Sequence, residues 1–175
     1  MNKISFLVSL ICCVAIGMLV SGAGAVMKGL STAELVGSSE AVIIGEVIDV
    51  GSHWSEDGST IFTNATVDIS EVVKGKTLAG RITVEYEGGE VNGIGLRVSD
   101  VGTLEKGENV LLFLKTAKSK KNGTFYQIFG RAQGMYKIGR DGIAKKKGFS
   151  LIGGEDAVDN HIPLDDLVRK IRSVE

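Results

Sequence analysis

The chain has 175 residues, a formal net charge of −1, 24 glycines, one proline and two cysteines. An aromatic share of 6% argues against a nucleic-acid surface, which needs stacking rings. Cys12 and Cys13 both lie in an apolar leader, so neither a disulfide framework nor a cysteine metal site is expected in the folded part.

The leader reads as a secretory signal: Lys3, then an apolar run over 4–20, then the small residues Ala23-Gly24-Ala25. Cleavage is expected after Ala25, so the prediction is a signal peptide at 1–25 and one domain at 26–175. The protein is then extracytoplasmic, secreted or held at the cell envelope. It touches a membrane only through this segment, and only if the segment is retained as an anchor. Without its leader the chain carries 19 basic and 21 acidic residues, and a domain of that size can bury one good core.

Ser31-x-x-Glu34 is a capping box, which predicts a short opening helix ended by Gly37. Strands follow. "AVIIGEVIDVGSHW" (41–54) is apolar on both faces in its first half, and Gly45 and Gly51 suggest bends or bulges. "IFTNATVDISEVV" (61–73) alternates, with Ile61, Ala65, Val67 and Ile69 on one face and Asn64, Thr66, Asp68 and Ser70 on the other. "RITVEY" (81–86) alternates again, which makes Glu85 and Glu87 solvent-face residues rather than an acid/base pair.

"YEGGEVNGIG" (86–95) holds four glycines. It enters from a strand as a dinucleotide loop would, but "LRV" follows where a helix should begin, and no Gly-Lys-Ser/Thr is present. The expectation is a corner turned at Asn92-Gly93 rather than a phosphate cradle. "NVLLFLK" (109–115) is continuously apolar and reads as a central strand. Asn122-Gly123 and Asp141-Gly142 mark hairpins, and lysines 145–147 suit an exposed edge strand. "IPLDDLVRKIR" predicts a closing helix at 163–173 with an apolar stripe of Leu164, Leu167, Val168 and Ile171. The expected fold is mainly β: a small closed barrel of five to six strands with a short N-terminal helix and a C-terminal helix.

Charge is unevenly spread: 14 acidic against 5 basic residues over 34–108, then 10 basic against 1 acidic over 115–147. Faces that neutralise one another across strands, or a basic face for an anionic polymer, would both account for this. His53 and His161 are the only histidines and read as loop residues, since zinc needs three or four ligands and a triad needs a nucleophile and an acid beside the imidazole. No catalytic residue, metal site or cofactor is expected, and the chain is not read as an enzyme. Asn64 and Asn122 stand in Asn-x-Thr sequons, both expected to face solvent and to be open to glycosylation.

The sequence of "SSEAVIIGEVIDV", "IFTNATVDISEVVKGK", "ITVEYEGG", "KGENVLLFL" and "FYQIFGRAQGMYKI" resembles the netrin-module and tissue-inhibitor-of-metalloproteinase-like group, in a cysteine-free prokaryotic exported form. The resemblance spans roughly 38–138, and "EVVKGK" and "KGENVLLFL" carry most of it. It implies an OB-like β-barrel. That group inhibits through an N-terminal cysteine, where this chain is expected to begin at Val26. The functional expectation is a non-catalytic exported binding domain whose partner is an anionic cell-surface polymer or a protein. The alternative is a secreted protease-inhibitor-like or protease-accessory domain. The candidate binding residues are Trp54, Gly88, Gly89, Asn92, Gly93, Lys118, Lys120 and Lys121.

Overall fold

The computed structural model describes residues 29–76, 80–119, 123–146 and 159–174. The expected signal segment, Lys120, Lys121, Lys147 and the Asn122 sequon position lie outside them.

Helix α1 (Thr32–Ser38) begins on the expected capping box. The Ser31 amide donates to Glu34 Oε2 at 2.8 Å, and the Glu34 amide donates to Ser31 Oγ at 3.2 Å. Gly37 does not end the helix, which runs one residue further and closes with the Ser39 amide donating to the Leu35 carbonyl at 3.0 Å. Its Leu35 and Val36 are buried.

The strands are β1 (Ala41–Trp54), β2 (Ile61–Lys74), β3 (Arg81–Glu87), β4 (Gly89–Val91), β5 (Ile94–Leu96), β6 (Asn109–Ser119), β7 (Gly123–Ile128), β8 (Met135–Ile138), β9 (Ile143–Lys146) and β10 (Ile162–Pro163). Helix α2 (Leu164–Val174) closes the order, immediately after Pro163. The fold is therefore mainly β with a helix near each end of the described chain. β1 pairs antiparallel with β2 along its length, with one register shift falling between Ile44 and Gly45, where a bend was expected. β2 pairs antiparallel with β3, β3 parallel with β7, β7 antiparallel with β6, and β6 antiparallel with β1. These five strands form a ring of pairings. β8, β9 and β10 extend the sheet from β6.

The apolar run of β6 serves two cores. Val110, Leu112 and Leu114 join residues from every ring strand, among them Ile43, Val67, Val84 and Ile128. Leu111 and Phe113 point the other way, onto Leu35 of α1, Tyr136 of β8, Ala144 of β9 and Leu167 and Ile171 of α2. A strand buried on both faces needs an apolar residue at every position, which is why the alternation breaks down there. Phe113 and Tyr136 meet with ring centroids 6.3 Å apart.

Two sequence expectations need correction. β9 is not the sheet edge, because Ile162 and Pro163 pair with Ala144 and Ile143. Lys146 accordingly lies half-buried, its ammonium 4.8 Å above the Tyr136 ring and donating to the Gln133 carbonyl at 2.8 Å. A lysine stem can bury this way while its head finds a π face and an acceptor. Asn64 was expected to face solvent, yet its Oδ1 is buried and has no hydrogen-bond partner.

Candidate binding cleft

Strands β3 and β7 pair only at Val84↔Tyr126 and Glu85↔Gln127. Beyond Glu85 they part, and a cleft of about 280 Å³ opens between them. Phe62, Glu85, Glu87, Gln127, Ile128 and Arg131 line it. A second, wider hollow of about 760 Å³ shares Glu87, Val101 and Gly102 with it and runs along Gly88, Gly89 and Glu90.

The glycine stretch forms the wall of that hollow. β4 and β5 are a hairpin turned at Asn92-Gly93, both with positive φ, 52° and 79°. That is the backbone a two-residue hairpin turn requires, and Asn-Gly supplies it at least cost. The stretch thus turns a corner, and no helix directly follows it. Thr63 Oγ1 donates to the Gly88 carbonyl at 2.6 Å, which fixes the hairpin's root to β2.

The opposite wall, 97–104, is pinned twice. The Tyr86 hydroxyl accepts from the Leu104 amide at 3.2 Å. One terminal nitrogen of Arg131 donates to both carboxylate oxygens of Asp100, at 2.6 and 2.7 Å, a charge-assisted contact that ties the loop to the turn after β7. Arg131 holds φ at 54°, a left-handed conformation that costs a non-glycine residue about 1–2 kcal/mol. Strain of this kind persists where surrounding structure determines it and collects at functional positions.

The cleft has an acidic balance. Glu85, Glu87 and Glu90 line the two hollows against Arg97 and Arg131, and Arg131 is engaged with Asp100. Burial pushes the Glu85 carboxyl above its usual range, with His53 opposing. The His53 Nε2 stands 3.9 Å from Glu85. Among the described residues no group of three His, Cys, Asp or Glu could hold a metal ion.

The expected binding residues are only partly brought together. Trp54, with 37% of its surface exposed, ends β1 beside Ile61, one residue from Phe62. Gly88, Gly89, Asn92 and Gly93 belong to the hairpin, which packs on β1 and β2. Lys118 pairs with Thr124 on the far side of the β3–β7 contact, so it does not join them. Sequence reasoning missed Glu85, Gln127, Asp100 and Arg131. Arg131 alone had a visible signal, a lone arginine between glycines in "FGRAQG".

A second polar cluster ties the helices to the sheet. Asp159 accepts from Lys170 at 2.7 and 2.6 Å and from the Thr32 hydroxyl, and the Tyr136 hydroxyl donates to its carbonyl at 2.8 Å. Burial pushes the Asp159 carboxyl up, but the donors from Lys170 and Thr32 outweigh it and hold the carboxyl below its usual value. Burial pushes the Lys146 amine down to about 8, with Asp159 opposing. In the unfolded chain a lysine titrates near ~10.4. Between about pH 8 and pH 10 the unfolded state therefore binds more protons, and this residue's contribution makes stability rise with pH. Lys146→Met should remove that rise, so the gap between urea midpoints of the two proteins changes across this window. A constant gap would contradict the burial.

No protein-family model and no curated protein matches the chain.

Proposed function

We propose that the chain is an exported, non-catalytic binding domain on an OB-like closed barrel, and that its cleft takes a short segment of a protein partner. The five-strand ring of pairings, with one parallel contact between β3 and β7, supports the barrel reading. The carrying observation is the place where the ring opens: apolar Phe62 and Ile128 beside Glu85 and Glu87, walled by the loop 97–104 that two contacts pin. Small barrels bind at such rims and bordering loops.

Charge favours a cationic, partly apolar segment over an anionic polymer. The cleft's surplus is negative, and Lys118 lies away from it. A protease-directed role, the alternative reading, draws on residues ahead of Gly29, outside those described.

Selection of random peptides on the purified protein tests this. Enriched sequences should combine basic and apolar residues, and should perturb the amide resonances of Gln127, Ile128 and Arg131. Enrichment of acidic peptides, or perturbation confined to Lys118 and its neighbours, would overturn the assignment.

A further inference from the structure

Two hydrogen-bond acceptors stand side by side next to the cleft with no donor supplied by the described residues. Asn64 on β2 and Glu85 on β3 are directly opposed in the ladder, so their side chains share one face with Cβ atoms about 4.5–5.5 Å apart. Asn64 Oδ1 is the only buried side-chain polar atom among the described residues that lacks a partner. The Glu85 side chain is 13% exposed, and His53 Nε2, at 3.9 Å, is beyond hydrogen-bond reach. Buried acceptors are nearly always satisfied, and one that is not calls for a physical account.

The surroundings suit a cation. On β1, Gly51 is opposite Asn64, and a Cβ built there would meet nothing within 4 Å, so the face is open beside the amide. One row along, His53 opposes Phe62 with ring centroids 6.3 Å apart, and Phe62 opposes Glu87. Phe62 and Glu85 also line the cleft, so the Asn64–Glu85 pair adjoins it.

We propose that Asn64, Glu85 and the Phe62 ring form a recognition site for a primary ammonium, that of a lysine side chain in the segment held by the cleft. An ammonium carries three donors around a compact charge. One donor meets the Glu85 carboxylate. A second meets Asn64 Oδ1, which turns toward the open side at Gly51 about the soft terminal torsion of the amide. The methylene stem and charge lie on the Phe62 face, where a ring attracts a cation. A planar guanidinium suits two oxygens of one carboxylate better than acceptors on separate strands. A hard metal ion needs six or more oxygens, which this face does not provide. The proposal rests on the peptide-binding reading of the cleft for its source of lysine, but the ammonium chemistry is testable without it.

The experiment uses the purified protein, butylammonium as the bare cation, and three capped tripeptides: Val-Lys-Val, Val-norleucine-Val and Val-Arg-Val. Butylammonium should shift the Asn64 side-chain amide resonances and lower the pKa of the Glu85 carboxyl, followed by carbon NMR. Val-Lys-Val should bind about tenfold or more tightly than Val-norleucine-Val, the effect of a hydrogen bond to a charged group, and more tightly than Val-Arg-Val. Glu85→Gln and, separately, Asn64→Thr should each reduce that preference while the fold persists. Equal binding of the lysine and norleucine peptides at the cleft would overturn the ammonium site and leave the cleft reading standing. Butylammonium shifts at Asn64 with no peptide binding would support the site and sink the peptide reading. No response to butylammonium or to the lysine peptide would overturn both.

Discussion

Phe113→Ala is expected to cost about 3–5 kcal/mol of stability, the range for truncating a fully buried aromatic. Phe113 has no exposed surface and belongs to the core cluster that joins α1, β8, β9 and α2 to β6. Its removal leaves Tyr136, Leu35 and Ile171 around a void that a strand paired on both sides cannot collapse to fill. The Phe113 carbonyl also accepts from the Phe129 amide at 2.8 Å, so the backbone is held in place while the side chain is lost. Chemical denaturation read by circular dichroism gives the number. A loss below about 1 kcal/mol, the scale of ordinary surface and near-surface changes, would mean that the helices do not pack on this strand.

Gly134→Ala is expected to cost about 3 kcal/mol, at the upper end for overpacking. A Cβ on Gly134 would lie 1.9 Å from the Phe129 carbonyl oxygen and 3.1 Å from its carbon. Backbone cannot give way as a side-chain tip can. Phe129 must move, and its bond to Phe113 moves with it. The short 3₁₀ turn Arg131–Gly134 lies between, so the displacement also reaches the Arg131–Asp100 clamp. The same variant should therefore weaken peptide binding at the cleft, a second loss that a remote core substitution would not produce. Wild-type stability in Gly134→Ala would contradict the tight passage of the chain from β7 into β8.

Much of the fold is legible in residue patterns because it is local. Ile61, Ala65 and Val67 alternate and are buried, as a half-buried strand requires. Ser31 with Glu34, and Asn92 with Gly93, specify a helix start and a hairpin turn through their own side chains and φ preferences. What escapes such reading is long-range. The β3–β7 contact brings residue 84 to residue 126, and no propensity encodes that pairing. The cleft exists only because that contact stops after two residues, so Glu85 read as one more solvent-facing carboxylate. Lys146 read as an edge charge because nothing in "IAKKK" announces the two-residue strand at 162–163 that pairs with Ile143 and Ala144 of its strand. Gly37 read as a helix stop, but a glycine with open space around it can be carried within a helix whose other face is buried.

The account turns on the strand ring and on where it parts. Backbone nuclear Overhauser effects in deuterated protein test this most directly. Contacts are predicted between the strands at Ile43 and Leu112 and at Val84 and Tyr126, and none between Glu87 and the residues following Ile128. Absence of the Val84–Tyr126 contact, or a ladder continuing past Glu85, would contradict both the ring and the cleft.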